Sequence, residues 1–122
     1  MPKWCPYIVK DIGKIKHIYD PIFRINFYVV CHKSARVFQK TIAKQISCHV
    51  DFPDGDGRFT EIDRGGIKCG LIWSKDKGIT LRHELYHAAV WAMRKAGIPF
   101  IYETDEVIAY YTDFLLRCVT KK

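Results

Sequence analysis

His83, Glu84 and His87 form a His-Glu-x-x-His run within Thr80-Leu81-Arg82-His83-Glu84-Leu85-Tyr86-His87, and Glu106 follows nineteen residues after His87. On an α-helix, residues four apart lie one turn apart on the same face. Both imidazoles can then reach one metal ion at roughly 2.0–2.1 Å. Glu84 points beside that face, where a carboxylate can take a proton from a metal-activated water. The chemistry open to such a set is metal-assisted hydrolysis. The pattern is short, so its surroundings must carry part of the weight.

Those surroundings predict a helix. Thr80 stands where a hydroxyl can cap free N–H groups. Leu81, Leu85, Ala88, Ala89, Trp91 and Ala92 recur at helical spacing, and Gly97 and Pro99 give a stop after Ala96. The histidines therefore belong to a mostly buried helix. That context favours a metal site over two polar residues on an ordinary solvated face.

Two histidines leave a zinc site incomplete, since a catalytic site takes three protein ligands and a water. Glu103, Asp105, Glu106 and Asp113 are the downstream candidates. A last helix is predicted from about Thr104 to Val119, with Asp105 and Glu106 in its favourable first turn. The turn at Gly97-Ile98-Pro99 lets that helix pack antiparallel on the first and return its own first turn to the histidines. Ala109, Tyr110 and Asp113 share the face of Glu106, and the small Ala109 permits close approach. Glu106 is the favoured third ligand and Asp105 the second choice.

The arrangement resembles the gluzincin metallopeptidases, whose third zinc ligand is a Glu on a following helix. More closely, Leu81 to Leu116 is similar to small metallopeptidases encoded by bacteriophages and prophages. Those place an acidic residue, Glu and then x-x-Ala-Tyr in the later helix, matched here by Asp105-Glu106-Val107-Ile108-Ala109-Tyr110. The resemblance implies an α+β, minimal zincin-like fold: a small twisted, mostly antiparallel sheet, a backing helix, and two packed C-terminal helices carrying the metal. It implies a Zn²⁺ peptidase with His83, His87 and Glu106 as ligands and Glu84 as general base. It covers the last third of the chain in motif detail and the earlier part only in element order. Thermolysin-like relatives carry an Asp four residues after the ligand Glu, where this chain has Tyr110; Asp113, one turn further on, is the candidate to orient a histidine. Tyr110 is the first candidate to stabilise the oxygen that turns negative, ahead of Tyr86, Tyr102 and Arg82, although helix packing is the commoner role for such aromatics.

Upstream, Ile8-Val9 suggests a short strand, while Asp11-Ile12-Gly13 and Asp20-Pro21 suggest turns. Ile22 to Cys31 reads as a strand from its β-branched and aromatic content. Ser34 opens a helix to about Ser47, with Val37, Phe38, Ile42 and Ile46 on one side. Its other side carries Lys33, Arg36, Lys40 and Lys44, a solvated face by default and an anionic-partner stripe in the sharper reading. The loop Asp51 to Gly57 resembles the start of a calcium loop at Asp54 and Asp56, but Gly65 stands where the terminal Glu is required. Arg58–Asp63 and Gly66–Ser74 read as a hairpin turning near Arg64-Gly65. If its second arm is an exposed edge, Ile72 and Trp73 would hold an extended peptide substrate by strand addition.

At 122 residues the chain is expected to be a single domain, 1–122, with a core of its own. The absence of a long apolar run or a basic-then-apolar leader points to no membrane partner and a cytoplasmic setting, host cytoplasm if phage-encoded. Five cysteines, odd in number and without a Cys-x-x-Cys pair, indicate neither a disulfide framework nor a zinc ribbon and fit a reducing compartment. Cys31-His32 and Cys48-His49 offer a second metal site, against which stands the commoner use of cysteine as a small core residue. A net charge of +7 favours an acidic partner, nucleic acid or protein. A basic binding module with a structural or vestigial zinc is therefore the alternative to the peptidase, and Glu84 weighs against it, because a purely structural site has no use for that carboxylate.

Overall fold

Five segments rich in isoleucine and aromatic residues assemble into one mixed sheet in the computed structural model, which describes residues 7–47, 49–51, 55–64, 66–98, 101 and 104–120. The strands are β1 (Ile8–Ile12), β2 (Ile15–Asp20), β3 (Ile25–Cys31), β4 (Gly57–Arg64) and β5 (Ile67–Ser74). Their order across the sheet is β1-β2-β3-β5-β4. Three pairings are antiparallel, and the central one, β3 with β5, is parallel. The fold is α+β. Its helices are α1 (Ala35–Ile46), α2 (Ile79–Lys95) and α3 (Asp105–Thr120).

Alternation along the central strands sorts the core into two layers. Ile25, Phe27 and Val29 of β3, with Ile72 of β5, face α2 and α3. Val30, Leu71 and Trp73 face the other way, against Phe38 and Ile42 of α1. Each fully buried Ile, Leu or Phe contributes about 1.5–3 kcal/mol. A parallel neighbour needs a crossover, and α1 is part of the one between β3 and β5. Ser34 caps α1 by accepting from the Val37 N–H at 3.4 Å, and Ser47 closes it in a left-handed conformation.

Two sequence expectations change. The first twenty residues contain a whole hairpin, β1–β2, turning at Gly13 with φ 59°, where only a short strand was expected. The strand expected from Ile22 starts at Ile25, because Asp20 takes the preceding residues into a turn. Its Oδ1 accepts from the N–H of Ile22 at 2.8 Å and of Phe23 at 3.2 Å, and Arg24 follows at φ 57°. Asp20 is 1% exposed, and its other oxygen accepts from the Tyr111 hydroxyl of α3 at 2.7 Å. Burial, then the neighbouring Tyr7 and Asp20, push the Tyr111 hydroxyl pKa far upward, so it stays a donor at any working pH.

Cys5, Cys48, Asp54, Pro99, Tyr102 and Glu103 lie outside the described residues, and with them the proposed Cys48 partner, the calcium-loop start and one third-ligand candidate. Cys31, Cys69 and Cys118 are thiols. Among the described residues, no helix is long and apolar enough to cross a membrane.

Removing the Tyr111 hydroxyl leaves a buried carboxylate oxygen short of a donor. Tyr111→Phe should lower the unfolding free energy by about 1–3 kcal/mol. Urea denaturation checks this, the midpoint falling while the slope holds.

Candidate metal centre

α2 enters through a turn and starts at Ile79. Ser74 Oγ donates to the Asp76 carbonyl at 2.6 Å, and the Gly78 N–H donates to Asp76 Oδ1 at 2.9 Å. The N-cap is Gly78, without a side-chain cap, so Thr80 lies inside the first turn and does not cap as expected. Leu81, Leu85, Ala88 and Ala92 are completely buried and fix the helix to the sheet. Rotation about the axis then exposes His83 and His87 while burying Glu84 to 8% exposure.

The two imidazoles meet edge to face, with ring planes at 90° and Nε2 atoms 3.1 Å apart. At that distance one ring donates its Nε2–H to the lone pair of the other. Two nitrogens each about 2.0–2.1 Å from a tetrahedral ion stand roughly 3.3 Å apart. The pair therefore fits a single divalent ion in place of the shared proton.

On one flank of the pair lies β4, whose outer side has no strand neighbour among the described residues. An open cleft of about 430 Å³ runs between β4 and α2, with Glu84, His87, Val90, Trp91 and Arg94 on the helix side and Gly57, Phe59 and Glu61 on the strand side. Glu84 therefore borders both the histidines and the cleft. Phe59 packs on Trp91 at 5.4 Å between centroids, and the Trp91 indole N–H donates to Glu61. Gly57 makes the closeness possible. A Cβ there would lie 2.8 Å from Thr80 Cγ2, 2.9 Å from Glu84 Cγ and 3.0 Å from the Trp73 carbonyl oxygen.

On the other flank, α3 joins α2 through Arg82, whose guanidinium donates to Asp113 Oδ1 at 2.7 Å. Asp113 thus partners Arg82, the arginine one residue from His83, through Oδ1. Glu106, Ala109 and Tyr110 continue the same side of α3 and are exposed, Tyr110 at 63%. The helices run antiparallel, since Val119 near the end of α3 shares a surface hollow with Lys77 before α2. With Arg82 opposite Asp113 and a rise of about 1.5 Å per residue, Glu106 sits level with position 89, roughly 3 Å along the axis beyond His87. Among the described residues, no three His, Cys, Asp or Glu side chains converge as ligands. The structure brings together His83, Glu84 and His87 and leaves Glu106 at their level on the neighbouring helix.

No family model, curated protein or solved structure matches the chain.

The expected peptide-holding residues are displaced. Ile72 and Trp73 are 0% and 2% exposed, because β5 lies between β3 and β4 and has both of its edges paired. The sheet edge beside the histidines is β4. Sequence reasoning did not single out Gly57, Phe59, Trp91 or Arg94 as site residues; Gly57 read as one of several turn glycines, and its role depends on a contact with a helix more than twenty residues later. Tyr86 is half-buried with its ring 6.4 Å from His87, and Arg82 is held by Asp113. His32 is engaged locally, its Nδ1 accepting from the Ser34 N–H at 2.9 Å.

Gly57→Ala should destabilise the fold by about 1–3 kcal/mol, the usual cost of overpacking. One of the three close atoms is backbone, so side-chain adjustment alone cannot relieve it. Chemical denaturation of the variant measures the loss. Gly55→Ala, where nothing lies within 4 Å but φ is 72°, serves as a comparison for backbone strain alone.

Proposed function

We propose that this protein is a zinc-dependent metallopeptidase of minimal zincin type. The observation that carries the reading is the His83–His87 pair, with Nε2 atoms 3.1 Å apart, beside a buried Glu84 that opens onto a cleft under a free strand edge. His83 and His87 would hold the ion, with Glu106 as the third ligand. Glu106 is exposed on α3, two helical turns before the Asp113 that meets Arg82. Zinc, when bound, supplies a Lewis acid that acidifies water and polarises the scissile carbonyl.

The chain's own residues do the rest. A Glu84 carboxylate oxygen takes the proton of the attacking water and delivers it to the leaving amine nitrogen. Its burial beside Gly57 limits its rotamers, so the carboxylate is presented without an ordering cost at the moment of reaction. The outer edge of β4, which has no strand neighbour among the described residues, holds an extended peptide by strand addition, and Phe59 and Trp91 give the cleft an apolar floor. Tyr110, exposed on the Glu106 side of α3, is the group proposed to donate to the developing oxyanion.

Metal analysis of the purified protein tests the reading together with two variants. One zinc per chain is expected, weakened at least tenfold in affinity by Glu106→Ala. Glu84→Gln should keep the zinc and the fold while reducing peptide hydrolysis by about 10²–10⁴-fold, the usual worth of a positioned general base. A protein that takes up no zinc, and is not stabilised when zinc is added, would overturn the assignment.

A further inference from the structure

On the other face of the sheet, α1 carries Lys33 just before its cap and Arg36, Lys40 and Lys44 along its length, all exposed. Nearby, the β1–β2 turn contributes Lys14, also exposed. Between turn and helix lies an open groove of about 520 Å³, with Lys14, Lys40, Lys44, Thr41 and Gln45 around it. Cations from two elements far apart in sequence therefore converge on one channel. The nearest carboxylate of the hairpin, Asp11, is already engaged by Lys16 at 2.8 Å.

We propose that this groove binds the phosphate backbone of double-stranded nucleic acid. Position by position, Lys33 to Lys44 spans about 16 Å of helix axis, close to five nucleotide steps of roughly 3.4 Å along one strand. Lysines are point charges suited to phosphates, whereas reading a base edge favours a planar fork or an amide. Among the described residues no aromatic ring lines the groove, so they offer no platform on which single-stranded bases would stack. A helix and a tight turn form its walls. Neither offers the free row of backbone groups that would hold an extended acidic peptide. The site is independent of the histidine pair, which lies on the opposite layer. The two can be occupied together.

Fluorescence anisotropy with a labelled 20-base-pair duplex of arbitrary sequence, titrated at several salt concentrations, tests the proposal. With Lys14, Arg36, Lys40 and Lys44 each on a phosphate, the slope of log affinity against log salt should be about −3.6. Lys40→Glu/Lys44→Glu should weaken binding at least tenfold and flatten the slope by about 1.8. Lys95→Glu/Arg117→Glu makes the same change in net charge on the α2–α3 side and should cost threefold or less. All four positions are exposed, and thermal melts of both variants are to be run alongside as the check on folding. Equal losses in the two variants would mean that net charge alone attracts DNA and would overturn the site. So would no binding at low salt, or tighter binding of a poly-glutamate peptide than of the duplex.

Discussion

A carboxylate buried at the end of β2 ties the molecule's layers together. Asp20 receives two backbone N–H groups of the turn into β3 on one oxygen and the Tyr111 hydroxyl on the other. A polar group this deep is tolerable only when its lone pairs are met by donors, and removing one donor leaves the desolvation penalty behind. The bond therefore fixes where α3 lies on the sheet. Tyr7, Phe23 and Phe27 gather around the Tyr111 ring and hold it in place from three strands or turns. With α3 set in this way, Asp113 meets Arg82, one residue from His83. An exposed ion pair such as Arg82–Asp113 contributes little to stability, typically under about 1 kcal/mol. Its importance here is orientation, with the energy coming from the core beneath.

The second constraint is a missing side chain. Gly57 lets the first residue of β4 press against Thr80 and Glu84, and this contact places a free strand edge next to a buried carboxylate. Three features then coincide within one helical turn of α2: two imidazoles open to solvent, a carboxylate withdrawn from it, and backbone groups able to take an extended chain. Each has an ordinary explanation alone. A solvent-facing histidine pair is unremarkable, an edge strand is a matter of topology, and a buried Glu often serves packing. What favours chemistry is that Glu84 is buried against the cleft wall and not in the apolar core.

Much of this was legible locally. Ser34 and Ser47 bracket α1, and the helical spacing of Phe38 and Ile42 gives its buried side. His83 and His87 could be paired from their spacing alone, because a four-residue step means the same thing on any helix. The β1–β2 hairpin was not legible, for a definite reason. In β2, Ile15 packs towards α1 while Ile18 and Asp20 are buried towards α3, so the apolar residues do not alternate as on a strand with one wet face. The charges of Lys10, Asp11 and Lys16 obscure the pattern further. The edge strand beside the site was equally hidden. That β4 and not β5 is the edge follows from the parallel pairing of β5 with β3, a contact across about forty residues that no local pattern encodes.

The sheet also separates the lysine groove of α1 from the candidate metal centre. α1 and the β1–β2 turn turn their lysines to one side, while the histidines, Glu84 and the β4 edge lie on the other. Arg58 and Arg94 line the cleft itself, so this layer carries positive charge of its own, and unit charges a few ångströms apart interact by several kcal/mol at a protein surface. Beyond about 10 Å, salt screens most of that interaction at ordinary ionic strength. The two proposed sites lie on opposite layers, so a polyanion docked on α1 would be separated from Glu84 by the sheet. Tethering to nucleic acid would then act through proximity, raising the local concentration of targets held on the same polymer.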